Sequence, residues 1–133
     1  MQVHLNQVQH NEKFHLSIHS SFADSYFDWK ITCLFYVAIH CLKALAAKQG
    51  VIIGNTHKEI EESISPLKPN PIFPISATAW NNYKNLYRYS RSCRYNGFTN
   101  EQSFEATKRI DHNYSIQSLN KLKGYIKGQG VPI

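Results

Sequence analysis

The chain has 133 residues, enough for one hydrophobic core and short for two. With 42% hydrophobic and 18% charged residues, no stretch has the polar, aromatic-poor makeup of a disordered tail. The net charge of +6 is lopsided: residues 1–83 carry six Lys/Arg against six acids, and residues 84–133 carry nine against three. That excess favours an anionic partner, nucleic acid first and an acidic protein second, or else serves only as a solvated basic surface.

Five helical segments follow from apolar periodicity and stop signals. The first covers Leu5–Ser20, with Leu5, Val8, Phe14 and Ile18 as its apolar face. The opening residues Met1-Gln2-Val3-His4-Leu5 carry neither the basic nor the apolar region of a secretion signal. The second runs from about Tyr26 to Gln49, ends at Gly50, and is apolar nearly all round between Ile31 and Ile39. Its apolar run Ile31–Ala47 contains His40 and Lys43, which makes it a buried core helix rather than a membrane span. The third, His57–Ile64, starts after Asn55-Thr56, where either side chain can cap, and Glu59 suits its first turn.

Pro66, Pro69, Pro71 and Pro74 then forbid regular structure. The fourth helix reaches from Ser76 to Tyr95 and stops at Asn96-Gly97. The fifth opens with Thr99 and Gln102 in a capping-box pattern and continues to Lys127 before Gly128 and Gly130. The expectation is a single all-α domain over residues 1–133: an up-down bundle of four to five helices with one Pro-rich crossover.

Three cysteines, Cys33, Cys41 and Cys93, form no CxxC pair. Cys33 and Cys41 are separated by roughly 12 Å on one helix, too far for a disulfide, so a reducing compartment and buried thiols are expected.

Two stripes carry the candidate chemistry. Asp28, Thr32, Tyr36, His40 and Lys43 recur along one face of the second helix, and a polar stripe on a greasy helix must be paired, solvated or functional. On the fourth, Trp80, Tyr83, Tyr87, Arg91 and Arg94 share a face on which aromatics could stack bases and guanidiniums grip phosphates. The same pattern also fits core aromatics with arginines paired to Asp28 or Asp111.

His40 is a candidate general base or a hydrogen-bonded core histidine. His15 and His19 have metal-ligand spacing, but no carboxylate completes the motif, and no metal or cofactor is expected. His57 with Glu61 is weaker still as a ligand pair. The chain has no GxGxxG, GxxxxGK[ST] or GxSxG, so nucleotide-fold and hydrolase readings have no support.

Asp28-Trp29, the run Phe35-Tyr36-Val37-Ala38-Ile39-His40, Thr56-His57 at a helix start, and Tyr83, Leu86-Tyr87, Ser90-Arg91 and Arg94-Tyr95 together resemble a short prokaryotic branch of the HEPN superfamily. That branch carries an FYxAxH helix, an [ST]H turn and a YxxLxxxSRxxRY helix, and the match spans roughly residues 10–126. The resemblance implies a homodimeric bundle, association with RNA or nucleotides, and a toxin–antitoxin, defence or stress setting in the cytoplasm, with a nucleotidyltransferase-type antitoxin as a partner. The superfamily's ribonucleases use an Arg-x4–6-His motif. Here no histidine stands five to seven positions after Arg88, Arg91, Arg94 or Arg109.

Binding is therefore expected in preference to catalysis, through Arg91 and Arg94 with Tyr87 and Arg88. A divergent metal-independent ribonuclease would use His40 or His57 as base with Arg91. A purely structural interaction module would bury the same arginines in salt bridges.

Overall fold

In the computed structural model, which describes residues 1–95 and 97–133, every regular element is a helix. These are α1 (Gln2–Ser21), α2 (Phe27–Lys48), α3 (His57–Ile64), α4 (Ala77–Tyr95) and α5 (Glu101–Gly128). Asn96, half of the expected Asn96-Gly97 stop, lies outside the described residues.

Helix α2 is the element on which the others pack: α1, α4 and α5 all lie against it, and α4 also meets α5. The near-continuous apolar run explains this, because a helix hydrophobic on most sides must be covered on most sides. Ile31, Val37, Ala38, Cys41 and Ala44 are fully buried, together with Ile60, Leu86, Leu122 and Ile126 from the surrounding helices. Each large apolar side chain so buried contributes roughly 1.5–3 kcal/mol. By length and composition α2 also has the makeup of a membrane span, with mean hydropathy 1.5, but 61% of that window is buried inside the bundle.

The sequence places the helix ends to within three residues, and the caps show what decides them. Thr56 accepts from the Glu59 amide at 3.1 Å while the Glu59 carboxylate accepts from the amides of Asn55 and Thr56, a closed capping box. The expected Thr99–Gln102 box does not form. Asn100 caps α5 instead, its Oδ1 accepting from the Ser103 amide at 2.8 Å, as asparagine is among the best N-cap residues. The Pro-rich segment has no regular structure, but it is tied back along α3 by Phe73 N–H to Ser63 O at 2.9 Å and Ile75 N–H to Ile64 O at 3.0 Å.

Polar groups close the seams between helices. Lys30 is fully buried, its ammonium donating to the carbonyls of Phe22 and Ala23 and lying 4.0 Å from the Phe27 ring centroid. It thereby holds the α1–α2 turn, in which Tyr26 takes a left-handed φ of 57°. Buried Lys108 reaches Ser92 on α4 at 2.7 Å and Asp111 at 3.4 Å. The three thiols are free, and burial pushes Cys41 and Cys93 up to about 12, so they are inert packing groups.

Candidate functional site

The α4 stripe divides by depth. Trp80 and Tyr83 belong to the core, Tyr87 is half-buried, and Arg91 and Arg94 are exposed. The aromatic half of the stripe therefore anchors the helix. Its arginine half lines the rim of a groove of about 350 Å³ between α2, α3 and α4, walled by Phe35, Tyr36 and Ile39 on one side and His57 and Tyr87 on another.

His57 is placed by the short capped helix α3. Its ring lies flat on Tyr87, with centroids 3.4 Å apart and planes 6° from parallel, and its Nδ1 is 2.9 Å from the Tyr83 hydroxyl. Burial, joined by Tyr87 and Glu61, raises the Tyr83 phenol, which stays protonated. The Glu61 carboxylate is 3.9 Å from Nε2. That arrangement favours the tautomer with its proton on Nε2 facing Glu61 and with Nδ1 accepting from Tyr83. Desolvation lowers the His57 pKa, opposed by Glu61 and reinforced by Lys84, Arg91 and Arg94, so the ring is neutral at physiological pH. The Tyr83 bond at Nδ1 and the Tyr87 stack hold the ring in place, which suits a fixed stacking plate.

The cations sit around that plate. Arg91 Nη1 donates to the Tyr87 hydroxyl at 2.9 Å. Arg94 lies 5.3 Å from the Phe35 ring centroid and donates through Nε to the Ser90 carbonyl at 3.4 Å. Lys84 is 5.8 Å from the Tyr87 centroid and 3.8 Å from Glu61. Tyr87 therefore joins His57 on its face to Arg91 at its hydroxyl.

Other candidates fall elsewhere. Arg88 bonds Asn85 at 2.5 Å and does not line the groove. His40 turns to His4, with Nδ1 atoms 3.2 Å apart, and is absent from the groove wall, so His40, His57 and Arg91 do not meet in one cleft. The α2 polar stripe is half-buried, with only Tyr36 exposed, and its Thr32, His40 and Lys43 are paired rather than orphaned. Thr32 bonds the Asp28 carbonyl at 2.9 Å, Tyr36 is exposed, and Lys43 donates to Asn55 at 2.7 Å. Asp111 is engaged by Lys108.

His15 pairs with His112 on α5, Nε2 to Nε2 at 2.9 Å, beside His19. Among the described residues, no three His, Cys, Asp or Glu side chains are arranged to hold a metal ion. Periodicity could not reveal the His15–His112 pair, whose members are 97 residues apart and joined only by the fold, nor the buried Lys30, whose carbonyl partners belong to an irregular turn. No protein-family model, curated protein or solved structure matches this chain.

Proposed function

We propose that this chain is a binding module for RNA or nucleotides, and that the groove between α2, α3 and α4 is its site. The observation that carries the reading is the placing of two guanidiniums beside a preformed aromatic stack. Arg91 and Arg94 supply charge-assisted contacts to phosphate oxygens, and exposed Tyr36 with the half-buried His57–Tyr87 stack supplies aromatic surface for a base above buried Phe35. The rigid His57–Tyr87 pair needs little further ordering when a base arrives, which lowers the entropic cost of binding. The positive excess of the last third of the chain extends the same field over α5.

The resemblance to HEPN domains agrees with this role. It adds the proposals of a homodimer, a cytoplasmic setting and a place in a toxin–antitoxin, defence or stress system. A divergent ribonuclease would draw on His57 and Arg91, which do share the groove. The engagement of His57 Nδ1 by Tyr83, the flat stacking of its ring on Tyr87 and the turning of His40 toward His4 favour binding over that chemistry.

The test is the double variant Arg91→Gln/Arg94→Gln, examined by filter binding and thermal melting. Binding to single-stranded RNA is expected to weaken, and the log–log salt slope to flatten by about 1.4, at roughly 0.7 per phosphate contact, with little change in melting temperature. A large fall in melting temperature with unchanged affinity per folded molecule would overturn the proposal and assign the arginines to holding the bundle together.

A further inference from the structure

We infer that the groove takes an extended single strand rather than a mononucleotide, and that Lys43 is a second phosphate contact. The inference rests on the nucleic-acid reading above and deepens it by fixing the size of the ligand.

Two observations carry it. First, the groove does not end at Asn55. That residue also borders a second cavity of about 300 Å³, walled by Lys43, Ala46 and Ala47 of α2, by His4, and by the 50–55 loop. Tyr36 and Ile39 face the first cavity while Lys43, Ala46 and Ala47 face the second, so the two are successive stations along one side of α2. The Arg94 guanidinium stands over Phe35, and Lys43 comes eight residues later, a separation of roughly 12 Å along the helix axis. On this reading a mononucleotide with its phosphate at the arginines occupies the first station, and the next phosphate of a strand meets Lys43 at the border residue Asn55.

Second, the cation at the second station forms no ion pair among the described residues. Lys43 donates to the neutral Asn55 carbonyl oxygen, and among the described residues it has no carboxylate partner. The titratable groups around it are His4 and His40, whose rings lie 5.4 Å apart, and, across Asn55, the Glu59 carboxylate that accepts from the Asn55 amide. Burial first holds both imidazoles below their ordinary pKa, followed by the Lys43 charge at His4 and by His4 and then Lys43 at His40. A cation flanked by neutral rings and apolar walls suits a phosphate with a sugar or base beside it.

Oligouridylates of one to six nucleotides test the inference by fluorescence anisotropy against the full chain. Affinity is expected to rise about tenfold or more from uridine monophosphate to a short oligomer and then level off, because the second contact becomes intramolecular. Lys43→Gln should remove that gain, lower the salt slope for the oligomers by about 0.7, and leave monophosphate binding unchanged. Lys43→Arg should retain both gain and slope. Equal affinity for monophosphate and oligomers, or oligomer binding indifferent to Lys43→Gln, would overturn the inference. The proposed function would stand if Arg91→Gln/Arg94→Gln still weakened binding. Failure of the wild-type chain to bind any of these probes would overturn both.

Discussion

His57 is fixed on its face by Tyr87 and at its edge by Tyr83, and that double restraint gives the groove a rigid wall. Tyr83→Phe removes the hydroxyl and leaves Nδ1 without its donor. Denaturant unfolding should show a loss of about 1–3 kcal/mol, the cost of an unmade hydrogen bond at a partly buried group; no change in midpoint would mean that the bond contributes nothing.

The His15–His112 pair behaves differently because its chemistry is acid-sensitive. Desolvation first, then His19 and Lys30 at His15 with Glu12 opposing, and His15, Lys30 and His19 at His112, hold both pKa values at about 4 against 6.5 for an ordinary histidine. Between those values the unfolded chain binds more protons than the folded one. Stability is therefore complete above about pH 6.5 and falls as pH drops toward 4. Urea midpoints measured from pH 7.5 to 4.5 should decline over that window, and His15→Gln/His112→Gln should flatten the decline. An equally steep decline in the double variant would exclude the pair as its source.

Among the elements, α3 matters beyond its eight residues because it carries His57 into the groove. It is too short to persist unaided, so its capping box and its packing through Ile60 and Ile64 hold it. Thr56→Ala should cost about 1 kcal/mol in denaturant unfolding and loosen the His57 ring, visible as a weaker ring-current shift in its proton resonances. The loop before it depends on Gly54, at φ +84°, where an added Cβ would collide with the Glu59 side chain that closes the same box. Gly54→Ala should therefore destabilise more than Thr56→Ala, since it strains the backbone and displaces Glu59 together. Equal melting temperatures for the two variants would show that the loop relaxes around the new methyl group.

For the molecule as a whole, the distribution of apolar surface bears on assembly. Trp29, Leu16, Ile110, Phe14 and Tyr114 are each more than half exposed in the single chain. Together with the proposed pairing of HEPN-like domains, this leads us to expect a two-fold symmetric dimer in solution. Light scattering at tens of micromolar should report about twice the 15.4 kDa of one chain. A species of single-chain mass would remove the dimer from the proposal without touching the groove, whose walls all come from one chain.

The sequence by itself determined the helices, because periodicity, caps, glycines and prolines are local signals that act within a few residues. It also marked α2 as central, since only a covered helix tolerates that much apolar surface, and it placed Tyr87, Arg91 and Arg94 on one face of α4 by helical spacing alone. Only the tertiary structure decided which of these features meet. His57 reaches Tyr87 because the start of α3 is brought beside α4, a contact between residues thirty positions apart for which no local rule exists. Separations of 36 and 97 residues likewise hid the turning of His40 to His4 and the joining of His15 to His112. Helix geometry determines which residues share a face, but the packing of one helix on another determines what each face meets.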